Sequence, residues 1–500
     1  MVRSCPLGRQ AFLSVPGGVR WCAIAAVTLM LAPCAAEAET ITSALIRAYS
    51  GNPTFNAQRA AVRVQDETLP AALSGYRPTV AGTASAGVNF LDSQNSGGLI
   101  GANAGALGGG GAAGAATAGG TTTQGFNRTD YTAFPRSASI SVTQNLFNGF
   151  RTQNQVRQAD SNIIAARETM RNTELNTLAT AAANYMNVLR DTAILDLDRS
   201  NVDVLREQLR QVNDRFKVGE VTKTDVSQAE STLAQGESTL ATASANLSSS
   251  IAGYRQVIGV EPRNLQPARP VEKDIPASLS LAIAISQVEH PSIQAALHGV
   301  DAAELQVKIV ESALFPQLNV VGSAAKQYDA QGIPNSRLFN ASLTAQLNVP
   351  LYDGGLTFAQ TRQAKENVGQ QRLLADVQRD NVRAAVVTSW GVWKTSIEVI
   401  KAQQAAVRAA EIALNGVREE AKVGQRTTLD VLNAQQTLLN SRVQLISAQR
   451  DRVVGSYSVL ASIGRLSAQL LGLKVVEFDP TVHYDQVKDK WFGLRTPDGR

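Results

Sequence analysis

The sequence has 500 residues, 44% of them hydrophobic, and a formal net charge of +5. So small a basic excess argues against a nucleic-acid partner. The three cysteines, Cys5, Cys22 and Cys34, all lie near the start of the chain. The rest of the sequence therefore offers no disulfide, no thiolate nucleophile and no cysteine ligand for a metal.

Residues 1–38 are predicted to be a signal peptide. Arginines precede an apolar run at 21–31, and the small-residue site Ala36-Glu37-Ala38 follows it. Cleavage after Ala38 would remove every cysteine and leave about 460 residues with a net charge of about +3. Cys34 directly follows a proline and fits a lipoprotein site poorly, which makes lipidation the less favoured alternative. We therefore expect an exported chain.

Two internal repeats are visible when the sequence is compared with itself. The Lys-Val-Gly motif at 217–219 recurs at 422–424, and Asn52-Pro53 matches His290-Pro291. The interval between the second pair of motifs is longer than that between the first pair, so the first repeat contains an insertion. This insertion coincides with a tract rich in Gly, Ala, Ser and Thr, which cannot bury enough apolar surface to order itself. We predict a long flexible loop there.

The strands flanking this loop are predicted from alternation with period two. Ala138, Ile140 and Val142 alternate with Ser and Thr, and 340–349 repeats the pattern. Such alternation is typical of strands with one face on lipid and the other on a wet lumen. Residues 79–90 and 317–327 are interpreted as the hairpin partners. Because the smallest membrane barrels have about eight strands, four strands in one chain cannot close, and a membrane-spanning form must oligomerise.

Long helices fill most of the remaining sequence. Proline is absent from 136–261 and from 351–479, and Ala, Gln, Leu, Arg and Glu dominate both stretches. A helix over 148–217 would be roughly 105 Å long, far beyond a globular domain. The segments 40–76 and 224–259 are predicted as half-length helices that stack end to end beside it. No apolar run of about 20 residues follows residue 38, so no transmembrane helix is predicted.

The predicted organisation divides the chain into five parts. Each repeat contains a half-length helix, two strands, a long helix, a tip and a second half-length helix. The parts are a signal peptide (1–38), a first repeat (39–260) with a Gly-rich loop at 93–126 and a tip at 218–224, a linker (261–279), a second repeat (280–472) with a tip at 423–428, and a C-terminal tail (473–500).

These motifs, in this order and duplicated, resemble the TolC family of outer-membrane channel proteins over essentially the whole mature chain. The likeness is carried by Asn52-Pro53, by Leu-Phe-Asn-Gly-Phe at 146–150, and by the tip sequences at 218–226 and 423–432. The C-terminal segment 479–494 is similar to the branch associated with type I secretion.

The resemblance implies an α+β membrane protein with two structural repeats per chain. Three chains would form a homotrimer with a 12-stranded β-barrel, four strands from each, continued by a long periplasmic α-helical barrel. The trimer would sit in outer-membrane lipid and extend into the periplasm. It would be the exit duct of a tripartite export system for type I protein secretion, multidrug efflux or both. The implied partners are a periplasmic adaptor (membrane fusion) protein and an inner-membrane ABC or RND transporter, without cofactor or metal.

The resemblance also implies where the functional residues lie. In the family the adaptor docks at the hairpin tips, and the closed entrance opens like an iris. The docking tips carry over onto Val218, Gly219, Glu220, Val221, Thr222, Val423, Gly424, Gln425 and Thr427. The gate at the periplasmic entrance carries over onto Thr224, Asp225 and Arg426, and a lumen-facing acidic ring onto Asp430.

Two positions depart from the family pattern and shift the expected gate. Ala421 stands where a gating tyrosine is expected, and Asn433 where a second acidic residue would complete the ring. We therefore expect the gate to depend more on charge, with Asp225 and Arg426 forming a pair that holds the entrance shut. A cation site at the entrance should be weaker.

Two other classes of function fit the sequence less well. An enzyme is disfavoured because the three histidines, His290, His298 and His483, are scattered and accompany no nucleophile or metal-ligand spacing. A soluble periplasmic coiled-coil adaptor or structural protein would share the heptad repeats of the helices. It would have no need of duplicated hairpins with alternating faces.

Overall fold

The computed structural model describes residues 39–96, 126–330 and 333–499. The predicted signal peptide and most of the Gly-rich loop lie outside these ranges. The first repeat contains α1 (Ile41–Gly51), α2 (Pro53–Asp66), α3 (Thr68–Leu73), β1 (Thr79–Ala86), β2 (Asn89–Ser96), β3 (Phe126–Ala133), β4 (Arg136–Asn148), α4 (Arg151–Lys217) and α5 (Lys223–Ile258). The second contains α6 (Leu279–Glu289), α7 (Pro291–Glu311), β5 (Gln317–Tyr328), β6 (Arg337–Asn348), α8 (Leu356–Lys422) and α9 (Thr428–Ile463), and α10 (Pro480–Val487) follows it.

The element bounds reproduce the duplication seen in the sequence. The long helices α4 and α8 each have 67 residues, and α5 and α9 each have 36. The starts of α4 and α8, like those of α5 and α9, are separated by the interval between the two Lys-Val-Gly motifs. The starts of α1 and α6, like those of β1 and β5, are separated by the longer interval between Asn52 and His290. None of the described helices is both long and apolar enough to cross a lipid bilayer.

The half-length helix predicted over 40–76 is not continuous, because it breaks before Pro53. Asn52 ends α1 and caps α2, and its Oδ1 accepts the main-chain N–H of Thr54 at 2.9 Å. A residue before proline is restricted to extended backbone, which interrupts the helix. His290 does the same between α6 and α7, and its Nδ1 accepts the N–H of Ser292 at 3.2 Å.

This histidine cap makes the stability of the second repeat depend on pH. Burial lowers the pKa of His290 to about 4, and only the neutral ring can accept the N–H of Ser292. Its contribution to stability is therefore complete above about pH 6.5 and is lost as the pH falls towards 4. The loss is up to about 3 kcal/mol. We expect the thermal unfolding midpoint, followed by circular dichroism, to fall over this range.

The first repeat supplies the control for this prediction, because Asn52 occupies the equivalent position and does not titrate. The variant His290→Asn should keep the cap and flatten the pH dependence between 6.5 and 4. If the unfolding midpoint of the variant depends on pH as that of the wild type does, groups other than His290 cause the dependence.

The strands form a four-stranded antiparallel sheet in the order β1-β4-β5-β6. The two repeats are therefore joined by pairing between β4 and β5, and β1 and β6 are the edges. One face carries Ile140, Val142 and Leu343, as the alternation predicts, and all three are exposed. The other face carries hydroxyls that bond across strands, including Thr83 to Ser139 at 2.7 Å.

A second, two-stranded sheet extends the first hairpin beyond the main one. β2 pairs with β3, and the break between the two sheets lies at Gly87 and Pro135, where the proline offers no N–H. Residues 93–96 and 126 are therefore in strands, although the sequence analysis includes them in the loop. Residues 97–125 lie outside the described part of the chain.

The helical core sits midway along α4. Tyr185, Tyr254, Phe55 and Leu460 are almost completely buried there, and they bring α2, α4, α5 and α9 together. The Tyr185 hydroxyl lies 2.8 Å from the main-chain oxygen of Glu39 and 2.7 Å from that of Gln266. These contacts tie the start of the described chain and the linker to the long helix.

The α4–α5 hairpin and the α8–α9 hairpin are each bridged by an ion pair at equivalent positions. Arg206 on α4 binds Glu237 on α5 at 2.9 Å. At the equivalent positions of the second repeat, Glu411 on α8 binds Arg442 on α9 at 2.7 Å. The pair is thus repeated with its charges exchanged.

Candidate functional site

The two hairpin tips have the same backbone structure. Gly219 and Gly424 both adopt φ of +81°, in the left-handed region that favours glycine. The next residue in each tip donates its N–H back into the long helix, from Glu220 to the oxygen of Arg215 at 3.0 Å and from Gln425 to that of Glu420 at 2.9 Å. These bonds satisfy the carbonyl groups at the helix end and reverse the chain.

Each returning helix starts with a complete capping box. Asp225 Oδ2 accepts the N–H of Thr222 at 2.8 Å, and Asp430 Oδ2 accepts that of Thr427 at 3.0 Å. The threonine hydroxyls bond to the N–H groups of the two aspartates in return. Such reciprocal bonds satisfy two main-chain donors that the helix leaves unpaired. Asp225 and Asp430 therefore have a structural role at the tips.

The capping bonds also fix the charge of the two carboxylates. Hydrogen bonds from the hydroxyl and then the N–H of Thr222 lower the pKa of Asp225. The N–H and then the hydroxyl of Thr427 lower the pKa of Asp430. Both groups therefore carry a negative charge at neutral pH. All the cited capping bonds to the carboxylates use Oδ2, which leaves Oδ1 available for another donor.

The expected pair between Asp225 and Arg426 is not formed within the described chain. Arg426 instead binds Glu420 of its own tip, with Nε 2.8 Å from Oε2. Asp225 is held by Thr222, and Thr224 is exposed on the first turn of α5. The structure thus brings Arg426 to a carboxylate that the sequence analysis missed. The alignment of the two repeats could have indicated Glu420, because it matches this residue with Arg215. Both long helices therefore have a charged side chain near the end that leads into the tip.

Some apolar residues of the tips are packed inside, and others are exposed. Val221 packs against the buried Val212 and Val226 inside the first tip. Val218 and Val423, at equivalent positions, are 72% and 71% exposed. An exposed valine at the same place in both tips offers a small apolar contact to a partner.

The two hairpins lie side by side. A cleft of about 730 Å³ runs between them, bounded by α4, α8 and α9. A neighbouring cleft of about 340 Å³ contains Gln435, which accepts from Arg418 at 2.9 Å and donates to Asn201 of the first hairpin at 3.4 Å. None of these three residues was predicted, because their contact depends on how the two repeats pack.

The two departures from the family pattern occupy different surroundings. Ala421 packs against the apolar cluster around Leu414 and Val431 at the end of α8. Asn433 is exposed on α9. Within the ranges that the structure covers, no three His, Cys, Asp or Glu side chains are grouped so as to hold a metal ion.

Comparison with known protein families gives one match that covers most of the chain. Residues 45–260 and 282–465 match the family described as outer membrane efflux protein. The two matched segments correspond to the two repeats and leave out the linker between them.

Comparison with individual proteins also identifies outer-membrane proteins as similar to this chain. The chain is 38% identical over 466 residues to the outer membrane efflux protein BepC of Brucella suis biovar 1 (strain 1330), covering 93% of this chain and 94% of BepC. It is 28% identical over 357 residues to the outer membrane protein TolC of Escherichia coli (strain K12), covering 67% and 70%. The fold is similar to the crystal structure of the Campylobacter jejuni CmeC outer membrane channel, with a TM-score of 0.70, 15% identity, and 90% and 89% of the two chains covered.

Proposed function

Since this chain belongs to the outer membrane efflux protein family, we propose that three copies form the exit duct of a tripartite export system. In this proposal the sheets line the passage through the outer membrane, and the helices form a tube in the periplasm. An adaptor protein and an inner-membrane ABC or RND transporter complete the pathway.

Family membership confirms the resemblance predicted from the sequence. The protein is an outer-membrane transport component and not an enzyme. The alternative of a soluble periplasmic adaptor or structural protein is thereby set aside. We propose that the cargo consists of proteins, toxic small molecules or both.

The observation that carries the proposal is the sheet with one apolar face and two open edges. β1 and β6 each have a strand neighbour on one side only, and unpaired edges attract another strand. The strand directions alternate across the sheet, so β6 of one chain and β1 of the next would run antiparallel. Three chains could then close a twelve-stranded sheet with its apolar face on lipid.

The long helices support the periplasmic part of the proposal. A helix of 67 residues is about 100 Å long, and α4 and α8 both start directly below the sheet. Their tips would lie farthest from the membrane and would meet the adaptor. The exposed Val218 and Val423, together with the tip residues around them, would form the docking surface.

The gate would be formed at the same tips by Thr224, Asp225, Arg426 and Asp430. The contact between Arg426 and Glu420 is exposed, so Arg426 can exchange partners at little cost. Asp225 has Oδ1 available beside its capping bonds. A neighbouring hairpin could therefore bring Asp225 to Arg426 and hold the entrance shut, and an adaptor could release it.

This gate predicts a larger conductance when the positive charge is removed. Arg426→Ser should raise single-channel conductance severalfold in planar bilayers, because the cross-hairpin contact is lost while both capping boxes remain. Asp225→Asn, which keeps a capping oxygen but loses the charge, should have the same effect. Unchanged conductance in both variants would place the gate elsewhere, with the Asp430 ring as the next candidate.

A deletion strain would test the proposed function as a whole. Loss of the gene should increase susceptibility to toxic compounds, reduce secreted proteins, or both, and a plasmid copy should restore the wild-type phenotype. Cross-linking in cells should then recover an adaptor on the tips. A deletion strain with normal susceptibility and a normal set of secreted proteins would contradict the proposal.

A further inference from the structure

A row of basic residues ends the apolar face of the sheet at the side away from the helices. Arg136 is the first residue of β4, Tyr328 the last of β5 and Arg337 the first of β6. Tyr328 is paired with both arginines, which places the three side by side. Lys326, two residues before Tyr328, lies on the same face because side chains alternate along a strand.

These three cations surround one aromatic ring. The guanidinium carbons of Arg136 and Arg337 lie 5.7 and 5.8 Å from the centroid of Tyr328, and the Nζ of Lys326 lies 5.5 Å from it. None of the three forms an ion pair with another residue in the described ranges. In the described part of the chain, the Tyr328 ring lies against all three cations and offsets part of their mutual repulsion.

The surface next to this row is strongly apolar. Phe339 is paired with Lys326 and is 68% exposed. Ile140 and Leu343 follow on the same face, and both are exposed. The face thus changes from aliphatic to aromatic to basic along the strands. Aromatic residues mark the boundary between hydrocarbon and headgroups in membrane sheets, and basic side chains extend beyond that boundary to polar groups.

We propose that Arg136, Lys326 and Arg337 bind the phosphate groups of an anionic glycolipid, of the lipopolysaccharide class, in the outer leaflet. The inference rests on the proposed function, because it requires the apolar face to lie in the outer membrane. Guanidinium groups bind phosphate through two parallel hydrogen bonds, and the lysine adds a compact charge. The end of the sheet opposite the helices faces the outer leaflet, where this lipid would be encountered.

The neighbouring residues favour a lipid over a soluble phosphorylated ligand. A soluble anion would leave Phe339 and Ile140 in water, whereas a glycolipid covers them with its acyl chains. Charge complementarity and apolar contact then act on the same molecule. The three chains of the proposed assembly would carry three such sites around the sheet.

The test measures binding of lipid A to the purified full-length protein in detergent by native mass spectrometry. Each basic residue near an anionic lipid surface adds roughly a factor of five to binding, so replacing all three by alanine should weaken it on the order of a hundredfold. Lipid A without its phosphates should bind the wild type as weakly as lipid A binds the triple variant. Equal binding of the two lipids would overturn the proposal.

The linker provides a control of matched charge. Arg263, Arg269 and Lys273 lie there, and replacing them by alanine also removes two arginines and one lysine. This control should bind lipid A as the wild type does, and binding as weak as that of the triple variant would indicate a general charge effect and overturn the site. If the triple variant does not assemble, Arg136→Gln and Arg337→Gln should each weaken binding roughly fivefold.

Conductance measured on the same preparations separates this proposal from the proposed function. Weak lipid A binding with normal conductance in the triple variant supports the site. A wild-type protein that binds lipid A but conducts no ions would contradict the proposed duct and support the site.

Discussion

Oxidation should join three copies of the chain into a covalent trimer when cysteines face each other across the two edge strands. Thr83 lies on the hydroxyl-bearing face of β1, and Asn340, Ser342 and Thr344 lie on the same face of β6. We expect Thr83→Cys, combined with a cysteine at one of the three positions on β6, to give a trimer band on a denaturing gel. Antiparallel pairing brings opposed Cα atoms within about 5.5 Å of each other, which is within the Cα separation that a disulfide spans.

The alternation of side chains supplies the control for this experiment. Ala341 and Leu343 lie between these positions on β6 but point to the other face. Cysteines there should not cross-link to residue 83, although they lie equally near along the strand. The native cysteines lie in the predicted signal peptide and would not interfere. The closed sheet would be contradicted if cysteines on both faces of β6 cross-linked equally well, or if every pair of cysteines left the protein monomeric on the gel.

Export should be abolished when both exposed tip valines are replaced by aspartate. Val218 and Val423 are outside the apolar clusters that the structure describes within the tips, so Val218→Asp with Val423→Asp should leave folding intact. If an adaptor covers these side chains, the variant buries two unpaired carboxylates per chain, and each costs several kcal/mol. We expect the drug susceptibility of the double variant to equal that of the deletion strain.

A matched variant tests whether the added charge alone is responsible. Val476 is 94% exposed in the C-terminal segment, and Val476→Asp should leave export unchanged. Gel mobility of the assembled protein should be the same for both variants. Normal export by a stable double tip variant would show that docking does not use these valines.

Much of the fold could be predicted because the repeats constrain one another. The constant offset between matching motifs indicated which helices correspond, and the absence of proline predicted their length. The breaks before Pro53 and Pro291 were missed, although the sequence aligned Asn52 with His290. That alignment placed a side-chain acceptor before each proline, which is the pattern of a helix cap.

The contacts between side chains of different repeats could not be predicted in the same way. The basic row depends on the register of β4 against β5, and alternation alone leaves that register open. Arg426 was expected to bind Asp225, yet Glu420 lies closer because the tip turn folds back onto its own helix. Local backbone geometry therefore determines that Arg426 contacts Glu420, and charge alone does not predict this choice of partner.

The exchanged charges of the ion pairs between helices have a consequence for assembly. Arg206 and Glu237 hold the first hairpin, whereas Glu411 and Arg442 hold the second with the signs reversed. Both pairs are exposed and add little stability, but a ring of three chains would present the two patterns alternately. Its electrostatic surface would then have threefold rather than sixfold symmetry. A partner that recognises charge would therefore meet two different kinds of hairpin around such a ring.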